Sequence, residues 1–132
     1  MQQTTPPWGQ HLILDLAGCP RERLTNPEHL RTWIRELVNS IDMRPYGEPQ
    51  IEHFATHSNA AAGYTVVQLI ETSNICAHFA ENLGQAFIDI FSCKTFQNDR
   101  ATAICQDFFS PTSVIARPVS RGAFPTPLAE AG

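Results

Sequence analysis

Residues 64–94, YTVVQLIETSNICAHFAENLGQAFIDIFSCK, decide the fold of this chain. Residues 65–70 are dense in β-branched side chains and read as a strand. Residues 75–79 and 86–92 read as two more, joined by Glu81-Asn82-Leu83-Gly84 as a hairpin turn. Along the third strand Phe87, Asp89, Phe91 and Cys93 share one face, while Ala86, Ile88 and Ile90 share the other. Along the second, Asn74, Cys76 and His78 alternate with Ile75, Ala77 and Phe79. Each strand thus turns an aliphatic face toward a covering layer and shows reactive groups on the opposite face. That second face must be wet, bind a ligand or meet a second subunit. Ser73 precedes His78 by five residues and Cys93 by twenty, so a hydroxyl, an imidazole and a thiol are expected to converge on one small sheet.

The covering layer is legible upstream. Asn26 can cap a helix, Pro27 suits its first turn and Glu28 complements its dipole. Leu30, Trp33, Ile34, Leu37, Val38 and Ile41 then form one apolar stripe, which stops near Met43. Residues 98–109 read as a second helix, capped by Asn98 and ended by Pro111. Residues 11–16 (HLILDL) are apolar and mostly unbroken and read as a candidate central strand; residues 113–119 (SVIARPV) read as a last strand, Pro118 placing it at an edge or near its end. Residues 50–57 read as a weaker strand. The order β-α-β-β-β-β-α-β predicts an α+β two-layer sandwich, a mostly antiparallel sheet covered on one face by two helices. A single domain is expected over 9–122, with flexible tails at 1–8 and 123–132.

Composition narrows the function. The 132 residues suit one domain, and 42% hydrophobic with 17% charged residues is an ordinary globular balance. The formal net charge is −4 and no Lys/Arg cluster appears, so nucleic acid is not an expected partner. No apolar run reaches the roughly 20 residues of a membrane span, and the first residues carry no secretory pattern. Cys19, Cys76, Cys93 and Cys105 are widely spaced, which fits reduced thiols in the cytoplasm; Cys19 and Cys105 read as small buried apolar residues.

Taken singly, Ser73 reads as a turn residue, His78 as a satisfied surface histidine and Cys93 as a buried thiol. Cys76 and His78 stand two apart on one face, but a structural zinc site needs a second pair of ligands, so no metal is expected. No GxSxG elbow of a serine hydrolase is present.

The whole pattern carries more than its parts. Gly63 leads into the first strand, Thr72-Ser73-Asn74 follows it, His78 stands five beyond the serine, and Asp89-Ile90-Phe91-Ser92-Cys93 closes the run without a gap. Gly9-Gln10-His11-Leu12 opens the chain's folded part. These motifs resemble the bacterial-type S-adenosylmethionine decarboxylases, pyruvoyl enzymes that cut their own backbone at a serine. The family's Glu before that serine is Thr72 here and the His after it is Asn74; its Thr-Trp-Pro-Glu is Phe79-Ala80-Glu81-Asn82.

The resemblance implies autocleavage between Thr72 and Ser73, with Ser73 becoming a covalent pyruvoyl group and Thr65 and His78 assisting. It implies Ser73, His78 and Cys93 as the catalytic set, Cys93 donating a proton to the decarboxylated substrate. Thiols keep their proton at neutral pH and imidazoles titrate near it, which suits both tasks. The substrate would be S-adenosylmethionine, decarboxylated for polyamine (spermidine) synthesis. Phe54 and Phe91 are candidate π-faces for it, and Glu81 and Asp89 candidate carboxylates for its cation. The implied assembly is a homodimer of cleaved protomers in the cytoplasm. Two alternatives stay open: decarboxylation of another amino acid, arginine or ornithine, and an unprocessed regulatory or binding homologue.

Overall fold

The computed structural model describes residues 6–124. The chain runs β1 (Gly9–Ala17), α1 (Arg21–Leu24), α2 (Pro27–Ser40), β2 (Pro45–Phe54), β3 (Gly63–Ile70), β4 (Ser73–Ala80), β5 (Gln85–Ser92), α3 (Asn98–Phe109) and β6 (Ser113–Arg121). The strands form one sheet in the order β2-β3-β4-β5-β1-β6, every neighbouring pair antiparallel. The helices cover one face, giving the two-layer α+β sandwich that the alternation predicts.

The aliphatic faces lie where parity puts them. Ile75, Ala77 and Phe79 of β4, and Ala86, Ile88 and Ile90 of β5, are buried beneath the helices with Leu12, Leu14 and Leu16 of β1. The α2 stripe of Leu30, Trp33, Ile34, Leu37 and Val38 closes over them, joined by Ala101, Cys105 and Phe109 of α3. Trp33, Phe79 and Phe109 stack edge-on or tilted with ring centroids 5.0–5.6 Å apart. Burying each such ring stabilises the fold by about 1.5–3 kcal/mol relative to exposing it. Asn26 caps α2 as its position predicts, its side chain accepting from the Glu28 N–H at 3.0 Å.

Three local expectations need correction. The expected order lacks α1, a single turn of four residues, too short to show periodicity, that buries Leu24. The weak strand at 50–57 is β2, which starts earlier and ends at Phe54; Pro45, Gly47 and Pro49 disguise its first half, and its register shifts between Tyr46 and Gln50. Buried Gln68 compensates that irregularity by donating to the Tyr46 and Gly47 carbonyls. Asn98 does not cap α3. Gln97 holds that position without a side-chain bond, and Asn98 Oδ1 instead accepts from Gln10 Nε2 at 3.2 Å, tying α3 to β1. Of the expected flexible tails, residues 1–5 and 125–132 lie outside the described residues.

Gly63 shows why the sequence at the head of β3 is constrained. A Cβ there would sit 1.6 Å from the Phe79 carbonyl oxygen, so no larger residue fits between β3 and the end of β4. Gly9 is similarly restricted, its would-be Cβ lying 2.6 Å from the Ser92 carbonyl oxygen. These two close approaches draw the sheet tight at the two places where reactive side chains gather.

Candidate active site

Strands β3 and β4 are joined by two residues only, because Ile70 pairs with Ser73 and leaves Glu71-Thr72 as the turn. Ser73 also pairs with Ser92 of β5, and one further ladder bond follows: the Cys93 N–H donates to the Thr72 carbonyl at 3.1 Å. That bond polarises the carbonyl of the peptide leading into Ser73. Asn74 Nδ2 donates to Ser73 Oγ at 3.0 Å, and the Cys76 thiol donates to Asn74 Oδ1 at 3.4 Å. On the other side, fully buried Ser92 accepts from the Lys94 N–H at 3.0 Å and donates to Thr72 Oγ1 at 2.7 Å. The Thr72 hydroxyl in turn donates toward Met43 Sδ at 3.3 Å. Thr72 is held through both carbonyl and side chain, with a nucleophilic hydroxyl on the next residue. This arrangement suits an internal acyl shift.

His78 lies elsewhere. It pairs with Thr65 across β3, whose hydroxyl lies 2.9 Å from Nδ1, and Nε2 lies 2.6 Å from the Ala61 carbonyl. A carbonyl only accepts, so Nε2 carries the proton and Nδ1 receives the Thr65 hydroxyl. Five residues of extended chain separate Ser73 from His78 on β4, roughly 16 Å at the usual rise per residue. The expected convergence of Ser73, His78 and Cys93 does not occur within one protomer. Ser73 and Cys93 adjoin; the imidazole sits with Thr65 at the opposite end of the sheet.

The other candidates divide the same way. Asp89 and Phe91 lie on the open face toward the Ser73 end. Asp89 Oδ1 is 2.9 Å from His11 Nε2, and Phe91 is packed by Trp8 and His11 and overlaid by the Arg121 guanidinium at 4.8 Å. Phe54 pairs with Gly63 at the His78 end and is exposed. Glu81 lies there too, accepting from Arg21 at 3.1 Å and lying 2.8 Å from His53 Nε2. Trp8, His11, Arg121 and the Ser92–Thr72 bond are absent from the candidates that sequence reasoning yields. The parity of β1 would have put His11 on the open face, but nothing local says that β1 lies beside β5.

The four thiols are free and differ in environment. Burial pushes Cys19 up to about 11 and Cys105 up to about 12. Cys76 is raised by burial and by the charge of Asp89. Cys93 is exposed, contrary to its reading as a buried core thiol. Among the described residues, no three His, Cys, Asp or Glu side chains are grouped to hold a metal ion, and no helix is long and apolar enough to cross a membrane.

Comparison with known proteins places this geometry in context. The S-adenosylmethionine decarboxylase family profile matches residues 10–122. An S-adenosylmethionine decarboxylase proenzyme of Methanococcus aeolicus is 27% identical over 115 residues, covering 86% of this chain and 93% of the relative. One of Caldicellulosiruptor saccharolyticus is 26% identical over 123 residues, covering 91% and 93%. The crystal structure of the adenosylmethionine decarboxylase from Aquifex aeolicus superposes with a TM-score of 0.77 at 20% identity, covering 92% of this chain and 96% of that one.

Proposed function

Because the chain belongs to the S-adenosylmethionine decarboxylase family, we propose that it is a proenzyme that cuts itself between Thr72 and Ser73 and then decarboxylates S-adenosylmethionine for polyamine synthesis. One observation carries the self-cleavage. The carbonyl of the scissile peptide is held by the Cys93 N–H in a two-residue turn, and the nucleophilic Ser73 hydroxyl follows directly. In processing, Ser73 Oγ attacks the Thr72 carbonyl carbon, the C–N bond breaks, and the nitrogen takes the hydroxyl proton. The result is an ester. A base then removes the Ser73 α-proton; its electron pair forms the Cα=Cβ bond, and Oγ leaves with Thr72 as a carboxylate. Tautomerisation, addition of water and loss of ammonia convert the new terminus to pyruvoyl.

The residues around Ser73 fit that group. Asn74 already donates to the position of Ser73 Oγ, and Cys93 follows directly on β5 beside it. The pyruvoyl carbonyl supplies an electron sink that holds the substrate amine and accepts the electrons released with CO₂. The chain's own residues do the rest. The exposed Cys93 thiol supplies the proton that the substrate α-carbon requires. Phe91, backed by Trp8, offers an aromatic surface for an adenine ring or sulfonium, and Asp89 adds a carboxylate.

The base is the difficulty for a single protomer, because His78 is a strand's length away. Leu69 and Phe87 on the open face, with Ile115 and Val119 on its edge strand, remain exposed, a sign of a covered surface in the working assembly. A two-fold pairing of open faces about an axis that runs across the strands carries the end of one sheet to the opposite end of the other. His78 of the partner subunit, with its Thr65 bond, then serves Ser73, and Phe54 and Glu81 arrive with it. A homodimer with two shared sites follows, in a reducing cytoplasm that leaves the four thiols free.

A denaturing mass spectrum tests the reading. Wild-type protein should give fragments of residues 1–72 and 73–132, the second blocked by pyruvoyl, and Ser73→Ala should stay whole. A wild-type chain that remains at 14.7 kDa after long incubation overturns the proposal.

A further inference from the structure

Self-cleavage creates a charge that the intact chain lacks. Elimination releases Thr72 as an α-carboxylate on a two-residue turn that was built around a neutral carbonyl. Thr72 lines an open cleft of about 390 Å³ on the side of the turn that faces the C-terminal end of α2, together with Met43, Arg44, Glu71 and Lys94. Two cations therefore share the cleft with the residue that will become anionic. Arg44 is largely exposed, and its Nε sits 3.7 Å from Glu71 Oε2, a loose surface pair. Lys94 Nζ donates to the Asp42 carbonyl at 2.5 Å, which uses one of its three donors. The Lys94 backbone is already tied to the scissile residue, since its N–H donates to Ser92 Oγ and Ser92 Oγ donates to Thr72 Oγ1.

We propose that Lys94, with the Cys93 N–H and with Arg44 at the rim, is the seat of the carboxylate that self-cleavage releases at Thr72. The inference rests on the cleavage reading above and adds a residue to it. The Cys93 N–H follows the Thr72 oxygen through the whole sequence: it holds the carbonyl before attack and one carboxylate oxygen after elimination. Lys94 matters at the second step. When the Cβ–Oγ bond breaks, the electron pair settles on the departing carboxylate, and an ammonium with spare donors on the same cleft stabilises the charge as it develops. The ammonium then holds the new end of the residue 1–72 chain in place, so that it neither closes over the pyruvoyl site nor frays from the sheet. Glu71 and Asp42 border the same cleft and oppose the new charge, which makes a cation there more necessary.

The competing role of Lys94 is to cap the chain just beyond α2, where it donates to the Asp42 carbonyl. That role is the same before and after cleavage, and the test exploits the difference. Lys94→Gln keeps a donor for the Asp42 carbonyl and removes the charge; Lys94→Arg restores it. In Lys94→Gln protein the ester should accumulate, because elimination slows about tenfold or more. Hydroxylamine under denaturing conditions then splits the chain to a free Ser73 amino terminus in place of pyruvoyl. The same substitution should lower the melting temperature of the cleaved protein more than that of the uncleavable Ser73→Ala protein, and Lys94→Arg should reverse both effects. Equal loss of melting temperature in the two forms, with elimination at the wild-type rate, overturns the proposal and leaves Lys94 a cap on the chain beyond α2. A wild-type chain that never cleaves fails at the earlier reading and takes this one with it.

Discussion

Mixing two inactive variants puts the shared site to a numerical test. Ser73 and His78 are separated by five residues of one extended strand, roughly 16 Å, whereas proton transfer needs heavy atoms within about 3 Å. No rotamer change closes that gap, and β4 is paired on both sides, so it cannot bend to do so. Ser73→Ala protein lacks the hydroxyl and His78→Ala protein lacks the imidazole, so each alone should remain uncut or, for His78→Ala, be cut slowly. Unfolded together in equal amounts and refolded, they should pair at random, making about half of the dimers mixed. A mixed dimer has one complete site: Ser73 of the His78→Ala chain, served by His78 of the Ser73→Ala chain. About half of the His78→Ala chains, a quarter of all chains, should then be cleaved, as counted by intact mass. A Ser73→Ala/His78→Ala double variant in place of either partner should restore nothing. If the mixture cleaves no more than His78→Ala protein alone, the two residues do not meet across a dimer and the argument from strand length is refuted.

Two further outcomes follow from the hairpin. Cys93→Ala should cleave normally, since its hydrogen bond to Thr72 comes from the backbone N–H, which alanine keeps, yet decarboxylation should fall by about 10²–10⁴-fold; undiminished turnover would remove the thiol from the mechanism. Ser92→Ala strands the Lys94 N–H and removes the donor to Thr72 Oγ1 inside a fully buried site, a loss of about 1–3 kcal/mol. Measured in the Ser73→Ala background, that should lower the melting temperature by roughly 4–10 °C, with cleavage also slowed when Ser73 is present and Ser92→Thr restoring both. An unchanged melting temperature would show that the buried Ser92–Thr72 bond contributes nothing.

Much of this was readable along the chain, because parity and periodicity are local properties. An alternating strand must send Ile88 and Ile90 to one side and Asp89, Phe91 and Cys93 to the other, whatever its neighbours are. The same is true of the α2 stripe and of the Asn26 cap, each fixed within a few residues by backbone geometry. The distance between Ser73 and His78 was not readable in that way, because the sequence reads a strand over 75–79 with Ser73 in the turn, whereas β4 begins at Ser73 and its full extension holds the two apart.

What the chain did not disclose depends on which backbones lie side by side. The unbroken apolar run of β1 marks it as a central strand, but strand edges offer the same N–H and C=O groups to any partner, so nothing local names β5 and β6 as its neighbours. That placement brings His11 to Asp89 and Trp8 to Phe91 across more than seventy residues of sequence. Register, likewise a product of the assembled sheet, sets the Cys93 N–H on the Thr72 carbonyl and the Ser92 hydroxyl on the Thr72 side chain. The sequence by itself determined which groups each strand shows and to which face. Only the tertiary structure decided which of them meet, because that depends on the packing of all six strands under α2 and α3 together.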